Sequence, residues 1–380
     1  MGKEEIDPPV YEEIVEDMEI DDEDWIIFNS LTNVKLSKDE VERAIMPDQV
    51  DEGEKDILAI HFHPEWVPMN LIEERLKNAF PNAKSRMVIP TQHNLIQGLD
   101  GYAGVEADVF APDYNLKIQL LIHLQSKKLK KATKLKSMIE QTFQYRALQL
   151  LDYLEQIVNP DILMQKEIKK LGASLEVMEA AKFYAQKLRL MIGESVIASS
   201  KRAEMLKNRL LTDFILIKGA PVLAPPMMEK IMIYAKQVKN LVKARLNPNR
   251  FHHAKNLIEE ARSHGAGIII PHPPRFWPVM LDDLDVDGWE VWNSSTPDHT
   301  TFLIDCLTRR KKKKRDFLAF MGDDTHMSSK IRPDISTKKG SPKSEIGFQP
   351  PWEFPDVKNA LKAANQSRKR TINEYLERIS

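Results

Sequence analysis

The chain has 380 residues, 42% hydrophobic and 29% charged, a balance that suits one large or two ordinary globular domains with a sizeable core. Its formal net charge of −1 excludes a bulk electrostatic demand for nucleic acid or an acidic membrane surface. Cys306 is the only cysteine, so there is no internal disulfide partner and no cysteine zinc cage. MGKEEIDPP carries no signal pattern and no apolar run approaches ~20 residues, so a soluble, cytoplasmic protein with no membrane partner is expected.

Residues 1–50 read as an acidic N-terminal segment with a helix. Lys3 is the one cation among the first 24 residues, which end in Asp21-Asp22-Glu23-Asp24; such a block is a solvated tail or a loosely packed first helix. Ser37 or Asp39 can cap a helix over 38–47, where Val41, Ala44 and Ile45 fall at helical spacing. From residue 57 short apolar runs take over: DILAIHFH (56–63), MVIPTQH (87–93), VEADVF (105–110), IQLLIHL (118–124), GIIIPHP (267–273), GWEVWN (288–293) and FLAFMGDD (317–324). Near-continuous apolar runs fit strands buried on both faces. Helical patterns lie between several of them, including NLIEERLKNAF (70–80) and AKNLIEEARSHG (254–265), which stops on Gly265 as a helix end favours. This alternation predicts a parallel α/β architecture.

Residues 127–247 carry long helical patterns and almost no strand signal. They are expected to be a helical insertion between the fourth and fifth strands, which splits the α/β body into 51–126 and 248–326. Packing against the body is its plain role; a lid or partner surface is the alternative. Residues 327–380 complete the chain as a long Ser-, Lys-, Pro- and Gly-rich loop (327–351) and a C-terminal helix.

The polar residues fall at the ends of the runs. His61 and His63 end the first and point to one face of a strand. His93 ends the second, Glu106 opens the third, His123 closes the fourth and His272 the fifth, while Asp324 and His326 follow the seventh. Six of the ten histidines are in this set. In a (β/α) barrel the strand C-termini form one rim, where active sites are built. Imidazole and carboxylate are ligands suited to Zn, Mn or Fe, and such a set leaves positions for water.

The order His-x-His, His, Glu, His, His, Asp-x-His, carried by IHFH, PTQHN, GVEADVF, LLIHL, IIIPHPP, GWEVWN and GDDTH, resembles the polymerase and histidinol phosphatase (PHP) family of metal-dependent phosphoesterases over residues 57–326. RFHHA (250–254) is similar to an Arg-x-His-x-Ala stretch of some members. The resemblance implies a distorted seven-stranded (β/α) barrel. It also implies two or three divalent ions held by His61, His63, His93, Glu106, His123, His272, Asp324 and His326, with His61, His63, Glu106, Asp324 and His326 catalytic. The chain departs from the pattern at three places: Ala59 and Gln92 stand where aspartates are usual, and PEWVPMN after His63 lacks a clean acid, with Glu65 or Asn70 as substitutes. Fewer carboxylates hold less cationic charge, so two ions are expected ahead of three.

The implied reaction is hydrolysis of a phosphoester by attack of metal-activated hydroxide on phosphorus, with a small phosphorylated metabolite or a nucleotide as substrate. Arg250, His252 and Arg275 are candidates to grip the phosphate. An amidohydrolase-type hydrolase or deaminase is the alternative within enzymes, and a degenerate PHP-like barrel serving as a binding or scaffold protein is the alternative outside them. A long nucleic acid is less favoured by the net charge, although Lys127, Lys128, Lys130 and Lys131 form a local basic group. The run RRKKKKRD (309–316) reads as a solvated loop. Trp66, Trp277 and Trp292 read as packing residues near the rim, and Glu290 reads as a support for a ligand histidine.

Overall fold

The structure, a computed structural model, describes residues 19–196, 206–245, 250–272, 274–280, 282–310, 316–332 and 344–379. The chain packs as two compact units, one of residues 1–33, 151–202 and 208–241 and the other of residues 34–150, 203–207 and 242–380. Residues 1–18 of the acidic segment, 311–315 of the basic run and 333–343 of the long loop lie outside the described residues.

In the first unit, Asp22–Thr32 is a helix that begins with a reciprocal capping box between Asp21 and Asp24, so the acids there satisfy free amides and complement the helix dipole. Asp24 is also buried against Lys187. Helices Ile162–Lys170, Leu175–Val196, Leu210–Gly219 and Pro225–Ala244 follow. Their apolar faces bury Leu188, Phe214, Ile231 and Val238. Tyr153 is buried with them and its hydroxyl donates to the Ala235 carbonyl at 2.7 Å.

The second unit holds the strands: β1 (Asp56–Ala59), β2 (Phe62–His63), β3 (Ser85–Val88), β4 (Gln97–Leu99), β5 (Tyr102–Ala111), β6 (Leu116–Gln125), β7 (Gly267–Ile270), β8 (Gly288–Asn293), β9 (Leu318–Gly322) and β10 (Thr325–His326). β1 pairs with β3 and β2 with β10, both parallel, while β4-β5-β6-β7-β8-β9 form one six-stranded sheet. The fold is thus mixed α/β. The expectation of an all-parallel arrangement is corrected: β4–β5, β5–β6 and β6–β7 are antiparallel, and only β7–β8–β9 run parallel. For β5–β6 the cause lies in the connection, a single 3₁₀ turn at Pro112–Tyr114 followed by left-handed Asn115. So short a link permits a hairpin but not the dozen or so residues of a parallel crossover.

Backbone pairing among the described residues does not close these strands into a seven-stranded barrel. At the gap between β1 and β9 a side chain takes over: Gln349 Nε2 donates to the Leu58 carbonyl at 2.7 Å and to the Met321 carbonyl at 2.6 Å. Further along β9, Gln366 donates to the Phe317 carbonyl and accepts from the Ala319 amide, and Thr371 Oγ1 donates to the Ala319 carbonyl. Polar backbone that would otherwise be buried without partners is satisfied in this way. The segment expected as loop therefore ends in core: Glu345, Ile346 and Gln349 are buried, and Glu345 holds the buried Arg75 guanidinium bidentately at 2.7 Å on each oxygen.

Local signals behave as expected elsewhere. Ser37 and Glu40 form a capping box on the helix Lys38–Ile45, and Gly265 takes φ +68 after the helix Ala254–Ser263. Among the described residues, no helix is long and apolar enough to cross a membrane.

Candidate metal centre

Glu106 is the centre of the site. It lies in the middle of β5, is fully buried, and both its carboxylate oxygens face imidazoles. An ionised carboxylate in that condition is costly unless cations or metal ligation compensate it. Four imidazoles face it. His61 Nε2 is 3.7 Å from Oε1, His272 Nε2 is 3.3 Å from the same oxygen, His63 Nε2 is 3.6 Å from Oε2, and His93 Nδ1 contacts Oε2 directly.

The other residues join through Asp324 and His326. Asp324 Oδ1 lies 3.5 Å from His61 Nε2, 3.2 Å from His63 Nε2 and 3.6 Å from His326 Nε2. The His63 ring is sandwiched between His93 and His326, with centroids 4.3 and 4.2 Å away. Ligand atoms of three sets, His63/His93/His326, His61/Glu106/His272 and His61/His63/Asp324, lie within 4.8 Å of one another. These spacings suit shared ions after small side-chain adjustments.

The strand ends explain how the groups meet. β2 and β10 run side by side with His63 opposite His326, which brings the first and last histidine pairs together. An isolated bridge sets His93 beside Glu106. His272 and Asp324 stand just after β7 and β9 with φ +52 and +50, and Glu65, just after His63, has φ +56. Left-handed backbone is uncommon outside glycine, though His and Asp adopt it more readily than Glu, and such conformations gather at functional sites.

Neighbouring groups hold these side chains in place. Glu290 Oε1 meets His61 Nδ1 at 2.5 Å, while Oε2 accepts from the His272 amide and from Asn293 Nδ2, both at 2.9 Å. A carboxylate on the far ring nitrogen fixes the tautomer of a metal-binding histidine. Gly322 makes room for this contact, because a Cβ there would lie 2.0 Å from Glu290 Oε1. Burial opposes protonation of His61, but Glu290, Asp324 and Glu106 raise it to about 10. Burial, reinforced by His326 and His93, pushes His63 well below its ordinary value. Glu106 is held well below the carboxylate range by its histidines, against the effect of burial.

Not every predicted residue arrives. His123 is not brought to the cluster: its Nδ1 meets Tyr375 Oη at 2.9 Å and its Nε2 meets the Ile60 carbonyl at 3.1 Å, so both ring nitrogens are engaged. It pairs with Gly104 rather than Glu106 across the hairpin. It also packs so closely that a Cβ on Gly104 would meet its ring at 2.9 Å. Arg250 is exposed, with its guanidinium over the Tyr145 ring; the backbone carbonyl of His252 accepts from the Phe110 amide, and neither residue reaches the cluster. Arg275 is closer, with its amide bonded to the His272 carbonyl and its Nη1 3.4 Å from Gln119 Oε1. Gln119 pairs with Asp108, two residues along the strand from Glu106.

Of the two substitutes for the missing acid, Asn70 is exposed, whereas Glu65 is buried with Oε1 3.6 Å from His326 Nδ1. Gln92 accepts from the Glu65 amide at 3.1 Å, so the residue in the place of an aspartate positions this turn. Lys207 was not legible in the sequence. Its Nζ is 2.9 Å from Glu65 Oε1, and it comes from a region whose local pattern signals only helix.

No protein-family model matches the chain, and no curated protein matches it. A solved structure from Bifidobacterium adolescentis, described provisionally as a metal-dependent phosphoesterase, is similar at 14% sequence identity and a TM-score of 0.42. The match covers 82% of this chain and 97% of that one.

Proposed function

We propose that this chain is a metal-dependent hydrolase that cleaves a phosphoester of a small metabolite or a nucleotide. The observation that carries the proposal is Glu106, a buried carboxylate whose two oxygens face a ring of four imidazoles, His61, His63, His93 and His272. Imidazoles gathered around a buried carboxylate are a ligand set suited to divalent ions.

In this reading Glu106 would hold divalent ions together with the histidines around it. His61, His63 and Asp324 complete one side, and His93, His326 and His272 contribute the remaining nitrogen ligands. Divalent ions supply Lewis acidity toward phosphoryl oxygens and lower the pKa of water. Glu290 keeps His61 Nε2 turned to the cluster by holding Nδ1. The side chains of His93 and His326 are 38% and 22% exposed while His61, His63 and Glu106 are at 0%, so substrate approaches from the His93–His326 side. Arg275, whose amide bonds the His272 carbonyl, would supply a cation for the phosphate in this reading.

The test is metal analysis of the purified protein, followed by hydrolysis assays on phosphomonoesters, oligonucleotides and amides before and after chelation. At least one equivalent of metal and chelator-sensitive phosphoester cleavage are expected, with both lost in Glu106→Gln. Cleavage of amides alone would favour an amidohydrolase-type enzyme. Metal without any hydrolysis would favour a binding protein on the same body.

A further inference from the structure

The face of β5 that carries Glu106 continues beyond it. Strand side chains alternate, so Asp108 leaves the same face two residues on, about 7 Å along the strand. Asp108 is buried, and two cations from different elements meet its oxygens. Lys117 Nζ, from β6, is 2.5 Å from Oδ1, and Arg146 Nε, from the helix Thr133–Val158, is 3.2 Å from Oδ2. Asn94, the residue after His93, ties this group to the metal centre. Its amide donates to the Glu106 carbonyl at 2.8 Å, its Nδ2 donates to Asp108 Oδ2 at 3.0 Å, and its Oδ1 accepts from the Asp108 amide at 2.8 Å. Asp108 itself is in none of the three sets of ligand atoms.

We propose that Lys117 and Arg146, held in place by Asp108, form a subsite for a second anionic group of the substrate, a phosphate or a carboxylate. The inference rests on the proposed phosphoesterase reading and narrows it to phosphoesters that carry two anionic groups.

Charge and geometry support it. One counterion neutralises a buried carboxylate, and Asp108 has two, so the group keeps a net positive charge. Among the described residues, Asp108 is the only carboxylate that either cation pairs with. A third cation borders the same strands, since Gln119 pairs with Asp108 across the hairpin and Arg275 Nη1 lies 3.4 Å from Gln119 Oε1. Donors are also left over. An ammonium carries three N–H groups and a guanidinium five, whereas Asp108 engages one nitrogen of each and Gln149 Oε1 meets Arg146 Nη1 at 2.5 Å. The Lys117 and Arg146 side chains are 25% and 34% exposed against 3% for Asp108, so both cations reach solvent while the acid that anchors them does not. Burial pushes the Asp108 carboxyl up, but Lys117 and Arg146 hold it down at about 2, so the anchor stays charged at neutral pH. A sugar or a short carbon chain between two anions spans the step from Glu106 to Asp108.

The experiment compares metal-loaded wild type with Lys117→Gln, Arg146→Gln, Lys117→Arg and, as a control for overall charge, Lys358→Gln. Each is given three pairs of substrates that differ by one anionic group: a nucleoside 5′-monophosphate and its 3′,5′-bisphosphate, fructose 6-phosphate and fructose 1,6-bisphosphate, and glycerol 3-phosphate and 3-phosphoglycerate. In wild type, kcat/KM is expected to favour the doubly anionic member of at least one pair, through KM. This preference should fall about tenfold in Lys117→Gln and in Arg146→Gln, the scale of one charged hydrogen bond, and persist in Lys117→Arg and Lys358→Gln. Which pair shows it tells phosphate from carboxylate. Circular dichroism identifies any misfolded variant, and Lys117→Met or Arg146→Met then replaces it. Hydrolysis with no preference in any pair, or a preference that survives in both folded neutral variants, overturns the inference and leaves the proposed function standing. No hydrolysis of any member by metal-loaded wild type overturns the proposed function, and this inference with it.

Discussion

The Glu290 carboxylate closes on His61 Nδ1 at 2.5 Å while the opposite ring nitrogen, Nε2, faces Glu106 and Asp324 without a hydrogen bond. One carboxylate thus aims an imidazole from behind. Glu290→Gln keeps the shape but removes the negative charge that favours Nδ1–H. A loss of about 10- to 100-fold in metal affinity is expected, measured by chelator competition, with a far-ultraviolet spectrum like that of wild type. Gly322→Ala should act in the same direction, because its methyl would occupy the position of Glu290 Oε1.

His123 and His93 each fall at or near the end of an apolar run of the sequence, yet the structure separates them. His123→Gln should leave metal stoichiometry unchanged, since its nitrogens serve Tyr375 and Ile60, while His93→Ala should lower it. Equal losses in the two variants, read by metal analysis, would contradict the assignment.

Metal should also stabilise the fold. An ion that binds only the native chain adds about 2.7 kcal/mol at a free concentration of 100 times its Kd. The melting temperature of chelated protein should rise on adding metal, and this rise should vanish in Glu106→Gln.

The Arg75–Glu345 pair is buried, and Arg75 Nη1 also donates to the carbonyls of Arg43, Ala44 and Met46. Glu345→Ala leaves that guanidinium uncompensated, at a cost of about 3–5 kcal/mol. Chemical denaturation should register the loss, with metal content unchanged in the folded fraction.

Asp213 supplies a pH dependence away from the metal cluster. Burial raises its carboxyl to about 6, opposed by Arg209 and Lys239, and Oδ1 has no hydrogen-bond partner. An acid whose folded pKa exceeds its unfolded value binds its proton more tightly in the fold. Its contribution to stability is therefore full below the unfolded value of 3.8 and is lost as pH rises through about 6. Asp213→Asn should gain up to about 3 kcal/mol relative to wild type above that window and nothing below it. Parallel melting curves across the range check the sign.

Most of the centre was legible from local chemistry. Apolar runs marked the stretches beside which the polar residues gather, and His61 and His63 do meet in the cluster, although the backbone bends at His61 between β1 and β2 and does not run through as one strand. Capping at Ser37 and the turn at Gly265 were likewise local. The mixed sheet was within reach of the sequence too, since the short stretch between VEADVF and IQLLIHL is too brief for a parallel crossover.

What only the tertiary structure decided is which distant partner each polar group meets. Lys207 reaches Glu65 across 142 positions, Gln349 reaches Leu58 across 291, and Tyr375 withdraws His123 from the cluster across 252. The sequence by itself determined the donors and acceptors and where many of the strands and helices run, because those follow from residue chemistry and backbone periodicity. Their pairing depended on the packed chain, because a buried charge or carbonyl takes whichever partner the fold brings within hydrogen-bond distance.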